Sequence, residues 1–190
     1  MNSCGRHQCL AYGGPPSRHL RPISMMLRRY LNQNYRCLYG NSEPLVAEMR
    51  SQLSQVGVDV SRAERNGSLV LFSNLPRSDS GRFDPELGMN FAVNELQRAL
   101  NDGFAGLFAT GDMAWELGPD CDHAMVRSYE QRLDAFVESH PQFTVLCLYH
   151  GPALSSELAR VGLATHQAMF FHEHLSVPNP AYVAPANPES

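Results

Sequence analysis

Short apolar runs alternating with amphipathic segments constrain this chain more than any single motif. The runs fall at residues 7–12, 35–40, 68–72, 105–109, 143–149 and 167–171. Each is short and bounded by turn-forming residues, the signature of a buried strand. Between them, apolar residues recur at helical spacing: Leu20, Ile23, Met26, Leu27, Tyr30 and Leu31, then Leu45, Val46, Met49 and Leu53. Further along come Phe91, Leu96, Ala99 and Leu100, then Val126, Tyr129, Leu133, Phe136 and Val137, and a short helix over 155–161. Strands alternating with helices need crossover connections. The predicted fold is therefore α/β and three-layered, a mostly parallel sheet with helices on both faces. Punctuation agrees: Asn41 or Ser42 caps a helix with Pro44 in its first turn, Gly57 ends it, and Asp84-Pro85-Glu86 starts another. Residues 58–65 read as a connecting turn, 73–83 as a polar loop, and 118–120 as a turn. A single domain is expected over residues 1–176, followed by an extended proline-rich tail at 177–190.

Composition removes several functions. All 15 basic residues are arginine, with no lysine in the chain. A phosphate loop of the G-x-x-x-x-G-K-[ST] type, Schiff-base chemistry and a catalytic lysine are therefore excluded. The formal charge of −4 and the lack of any long basic run argue against a direct nucleic-acid platform. No window is apolar enough to cross a membrane and no signal peptide is expected. With five cysteines and no C-x-x-C, the expectation is a cytoplasmic protein with reduced thiols.

Chemistry concentrates at the ends of the predicted strands. Residues 13–18, Gly-Gly-Pro-Pro-Ser-Arg, form a Gly-rich turn between a strand and a helix, the shape of a phosphate loop without its lysine. Residues 103–116 form a strand running into a turn that carries Asp112, the single tryptophan Trp115, and Glu116. In a parallel sheet, ligands sit outside the carboxyl ends of the strands. Trp115 would supply an apolar wall, with Asp112 and Glu116 fixing a polar end. Tyr12, Tyr39 and Tyr149 each close a strand and are expected along the same edge, with Cys147 and His150 beside them. His7 with Cys9, and His172 with His174 near His166 and Glu173, have residue types that can ligate a metal. No four-ligand spacing is evident, so no metal is expected; His7 can instead hydrogen-bond a ligand. Cys147 with His150, or Cys121 with His123, are too close in sequence for a dependable nucleophile pair, and no catalytic residue is assigned. Glu130, Asp134 and Glu138 are read as the solvated side of their helix, with Arg127, Gln131 and Arg132. Arg18, Arg21, Arg28 and Arg29 leave anion binding at the first helix as an alternative.

Several of these residues carry a family resemblance. They are His7-Gln-Cys9-Leu-Ala-Tyr12, Tyr35-Arg-Cys-Leu-Tyr39, Gly111-Asp-Met-Ala-Trp115, Ser128-Tyr-Glu130, Leu146-Cys-Leu-Tyr149, the late His166, and Pro178-Asn-Pro-Ala-Tyr-Val183. In this order and spacing the chain resembles the MEDS family, the methanogen/methylotroph, DcmR-like sensory domains. The resemblance implies a RecA/KaiC-like fold with a degenerate phosphate loop at 13–18, used as a non-enzymatic sensory domain for small hydrocarbon-derived molecules. It implies a role in signal transduction or transcriptional regulation, with the signal passed to a partner protein or a homo-oligomer. The expected ligand is small and weakly polar, held by Trp115, Glu116, Asp112, Tyr12, Tyr39, Tyr149, His7 and Cys147. The alternatives are a nucleotide- or phosphate-binding domain descended from a KaiC-like ATPase, and a structural adaptor subunit.

Overall fold

A computed structural model describes residues 5–74, 78, 82–113, 122–153, 155–172 and 174–184. In chain order the elements are β1 (His7–Tyr12), a short 3-10 turn (Pro16–His19), α1 (Leu20–Leu31), β2 (Tyr35–Gly40), α2 (Glu43–Gln55), α3 (Val60–Arg65) and β3 (Leu69–Phe72). There follow α4 (Pro85–Asn101), β4 (Gly106–Asp112), α5 (His123–Ser139), β5 (Phe143–His150), α6 (Ser156–Thr165), β6 (Ala168–His172) and β7 (Leu175–Pro178). The strands form one seven-stranded sheet in the order β3-β2-β4-β5-β1-β6-β7. Every pairing is parallel except β6 with β7.

Side-chain alternation along each strand divides the core in two. On one face, Cys37, Tyr39, Leu146 and Leu148 pack against α1, α2 and α3. On the other, Leu38, Val145, Cys147 and Tyr149 pack against α4, α5 and α6. The expected three layers and parallel sheet are present. The register that matters most joins β1 to β5, with His7 opposite Val145 and Cys9 opposite Cys147. It brings residues far apart in sequence onto one patch of the α5-facing side.

Local chemistry explains the boundaries. The Asp84 carboxylate accepts from the Glu86 and Leu87 amides at the start of α4, Asp122 caps α5, and Ser155 caps α6. Gly57 (φ 85°) and Gly103 (φ 83°) follow α2 and α4 in the left-handed conformation that terminates helices. No described helix is long and apolar enough to cross a membrane.

The structure differs from the sequence reading in four places. Residues 58–65 are not a plain turn: Asp59 caps the short helix α3 through the Arg62 amide. The fourth strand runs three residues further than expected, through Asp112. The chain after Phe171 adds β7 antiparallel to β6. Beyond β7 the chain is tied down, the Asn179 side chain donating to the Leu163 and His166 carbonyls and the Val183 amide to the Ala164 carbonyl.

Candidate functional site

The most unusual feature of the interior is a group of ionisable side chains with no access to water. His7, Glu130 and His166 are each 0% exposed and Asp134 is 1% exposed. Unpaired buried charge is costly, so such groups must satisfy one another. His7 comes from the start of β1. Glu130 and Asp134 lie one turn apart on α5, facing the sheet. His166 follows the end of α6, and Cys147 and Tyr149 project from β5 toward α5. Placing Glu130 and Asp134 on a solvated helix side is therefore wrong: both fall on the face of α5 that also carries Val126, Leu133 and Val137.

Hydrogen bonds fix most of the donors. His7 Nδ1 lies 3.0 Å from Asp134 Oδ1. The other Asp134 oxygen accepts from the Tyr182 hydroxyl. His166 Nδ1 lies 2.6 Å from the Gly162 carbonyl, which can only accept, so Nδ1 carries the proton. Tyr149 donates to Glu130 Oε1 at 2.7 Å. What is left converges: His7 Nε2 and His166 Nε2 lie 3.2 Å and 3.6 Å from Glu130 Oε2. Neither contact has hydrogen-bond geometry, and these three atoms are buried without a partner. The Cys147 thiol closes the group, all four ligand atoms lying within 4.8 Å of one another.

The electrostatics follow from burial and proximity. Burial pulls the His7 pKa down, but Asp134 and Glu130 outweigh it and raise it. Burial opposes ionisation of Glu130, yet His166 and His7 bring its pKa below the usual value. His166 drops to about 4, through burial and then the neighbouring His7. Burial, then Glu130, pushes the Tyr149 hydroxyl well above its ordinary range. Two imidazoles and two acidic side chains thus face one another out of water.

Next to this group lies an apolar cavity of about 70 Å³ between the sheet and helices α4 and α5. Leu38, Phe91, Ala109, Met113, Tyr129 and Cys147 line it. Cys147 thus borders both the cavity and the buried polar group. A more open apolar groove of about 380 Å³ runs past the ends of β1 and β5, against Tyr12, Tyr149, Ala159 and Gly162.

The described site residues fall into two groups, Tyr12, Tyr39 and Asp112 around His19 on one face, and His7, Cys147 and Tyr149 on the other. Tyr12, Tyr39 and Tyr149 do stand along the carboxyl edge of the parallel strands, as expected, but on two different faces of the sheet. Tyr39 lies on the α1-facing side, where its hydroxyl meets His19 Nε2 at 2.8 Å and accepts from Asn41. Tyr12 donates to Asp112 Oδ2 at 3.0 Å and stacks on His150, with ring centroids 5.0 Å apart. Tyr149 points to the opposite face, with His7 and Cys147. Alternation on the strand also sends Cys147 and His150 to opposite sides, which removes them as a nucleophile pair. His150 instead contacts the Gly14 carbonyl at 2.8 Å. His7 and Cys9 do share a face. His172 and His174 sit apart at the exposed end of β6, ring centroids 6.3 Å apart. Trp115, Glu116 and Cys121 lie outside the described residues. Sequence reasoning missed Glu130, Asp134 and Tyr182 as members of the site. The available signal was position: residues 126, 130, 133, 134 and 137 form one helical stripe.

Known proteins place this arrangement in context. The sequence matches the family described as MEDS, MEthanogen/methylotroph, DcmR Sensory domain, over residues 6–167. It is 28% identical over 161 residues to the transcriptional repressor DcmR of Methylorubrum extorquens (strain DSM 6343 / CIP 106787 / DM4), covering 85% of this chain and 58% of that protein. The chain thus spans less than two thirds of the relative's length. The matched residues include His7, Glu130, Asp134, Cys147 and His166 of the buried group, and the chain belongs to the MEDS family.

Proposed function

We propose that this chain is a non-enzymatic sensory domain that binds a small, weakly polar molecule in the cavity between the sheet and helices α4 and α5. Membership of a sensory-domain family and similarity to a repressor support a regulatory role. The observation that carries the ligand class is the cavity itself. Apolar cavities of ~150 Å³ accept benzene, so one of about 70 Å³ is sized for a molecule of fewer heavy atoms. Its wall is apolar apart from Thr110, Tyr129 and Cys147, which suits hydrocarbon derivatives such as short alcohols, aldehydes or halocarbons. Residues 13–18, after strand β1, would take the place of a lysine-free phosphate loop in a RecA/KaiC-like ancestor. A bound molecule changes the output only through different affinity for two states of the domain. The output would be transcriptional, passed to a partner protein or through self-association.

The test is a methyl-resolved NMR and thermal-shift screen of one- to three-carbon alcohols, aldehydes and halocarbons, with Mg-ATP in parallel. At least one small apolar compound should shift Leu38, Met113 and Leu133 methyls and raise the melting temperature. Ala109→Leu, which fills the cavity, should abolish that response while keeping the fold. A compound that binds Ala109→Leu as well as wild type, or a response to Mg-ATP alone, would sink this reading.

A further inference from the structure

His7, Glu130, His166 and Cys147 offer two imidazole nitrogens, a carboxylate oxygen and a sulfur on one buried point. We propose that these four side chains form a binding site for one divalent transition metal of the zinc class.

Proton placement carries the argument. His166 Nδ1 must donate to the Gly162 carbonyl at 2.6 Å, so in the neutral ring Nε2 is a bare lone pair. His7 Nδ1 faces the Asp134 carboxylate at 3.0 Å and donates there. Both Nε2 atoms therefore point at Glu130 Oε2, itself an acceptor, and none of the three has a hydrogen-bond partner. Acceptors gathered in a dry site repel one another unless a cation stands between them. A proton on His7 relieves this only in part, leaving two carboxylates facing one imidazolium. A divalent ion relieves it fully.

Two of the separations agree with such a site. Zinc bonds of ~2.0–2.1 Å to nitrogen or oxygen and ~2.3 Å to sulfur place tetrahedral ligands roughly 3.3–3.6 Å apart. The two nitrogen-to-oxygen separations are 3.2 Å and 3.6 Å. The outer contacts are those of a metal centre: a carboxylate behind one histidine, a backbone carbonyl behind the other, and a tyrosine hydroxyl on the second oxygen of the ligating glutamate. Two imidazoles with a thiolate favour zinc over magnesium or calcium. Binding displaces the Cys147 thiol proton, together with any proton on His7 Nε2, to solvent. The proposal stands apart from the sensory reading, since it requires no ligand in the cavity.

Metal content and cobalt substitution test it on the full chain. Purified protein reconstituted with zinc and desalted should retain one equivalent. Cobalt(II) loading should give the visible bands of a tetrahedral centre with a near-ultraviolet thiolate-to-cobalt band. Wild-type protein that retains no metal, or whose cobalt form lacks the thiolate band, overturns the proposal whatever any variant does. Cys147→Ser should remove the thiolate band, and His166→Gln should lower cobalt affinity at least tenfold. His172→Ala, which removes half of the exposed histidine pair, should leave the spectrum unchanged. Loss of binding in His172→Ala with Cys147→Ser unaffected would assign the metal to the surface and overturn the proposal. Because the readout is the metal's own spectrum, its failure is distinct from failure of small-molecule binding in the NMR screen.

Discussion

Gly162→Ala is the sharpest probe of how rigidly the buried group is held. Alanine is about 1 kcal/mol better than glycine inside a helix, so helix propensity alone predicts stabilisation. The structure predicts the opposite sign. A Cβ at Gly162 would lie 2.7 Å and 2.8 Å from the Tyr149 ring carbons and 3.1 Å from its hydroxyl. Comfortable carbon contacts are about 3.5–4.0 Å, so the ring must move by about 1 Å. It has little room: Tyr149 is 3% exposed, and its hydroxyl is bound to Glu130 at 2.7 Å. Overpacking costs about 1–3 kcal/mol, and losing a hydrogen bond to a buried carboxylate costs about 1.5–3 kcal/mol. After subtracting the propensity gain, net destabilisation should be about 1.5–5 kcal/mol. Urea unfolding at a fixed temperature measures it. A double-mutant cycle with Tyr149→Phe isolates the hydrogen-bond share, and the double variant should lose less than the sum of the singles. A neutral or stabilising Gly162→Ala would show that Tyr149 gives way freely and that the Tyr149–Glu130 contact does not position the carboxylate.

Three further outcomes are expected. Arg36 is buried, 3.1 Å from Glu95, and donates to the Gly67 carbonyl at 2.7 Å; Arg36→Met should cost about 2–4 kcal/mol in urea unfolding, softened because Arg98 still pairs with Glu95, and a cost near zero would contradict the buried pair. His19, among Tyr12, Tyr39, Asp112 and His150, has its pKa lowered from 6.5 mainly by burial; the unfolded chain therefore takes up a proton first, stability present above 6.5 is lost as pH falls, and the melting temperature of His19→Asn should drop less between about pH 7.5 and 5.5 than that of wild type. Burial pushes the Cys9 thiol up to about 12 and the Cys37 thiol higher still; peptide mapping after iodoacetamide at about pH 8 should find both unmodified in native protein and alkylated after unfolding.

The sheet was legible because central parallel strands are buried on both faces and read as continuous apolar runs. Residues 143–149 are the clearest case. β7 was not legible: it has four residues, is mostly exposed, and ends at Pro178. α3 has only six residues, too few to display a helical period. His7, Cys147 and Tyr149 could be singled out from residue type and strand position. Their assembly could not, because it depends on the β1–β5 register and on which face of α5 meets the sheet. Glu130 illustrates the difficulty: charge argued for solvent, while its place on the stripe of Val126, Leu133 and Val137 argued for the core, and the stripe prevailed because three ionisable partners were waiting there.

That outcome explains why α5 is the element to watch. Adjacent positions on it serve both features: Tyr129 and Leu133 wall the cavity, while Glu130 and Asp134 reach the buried histidines. Cys147 makes the same link from the sheet side. A rigid helix cannot shift to admit a molecule against Tyr129 without carrying Glu130 with it, and contacts of 2.7–3.2 Å around Glu130 tolerate little displacement. One turn of helix thus carries residues of both the cavity wall and the polar group. If a molecule does bind in the cavity, linkage would make its coupling to the polar group reciprocal, a change at Glu130 and a change in cavity affinity altering each other by the same factor.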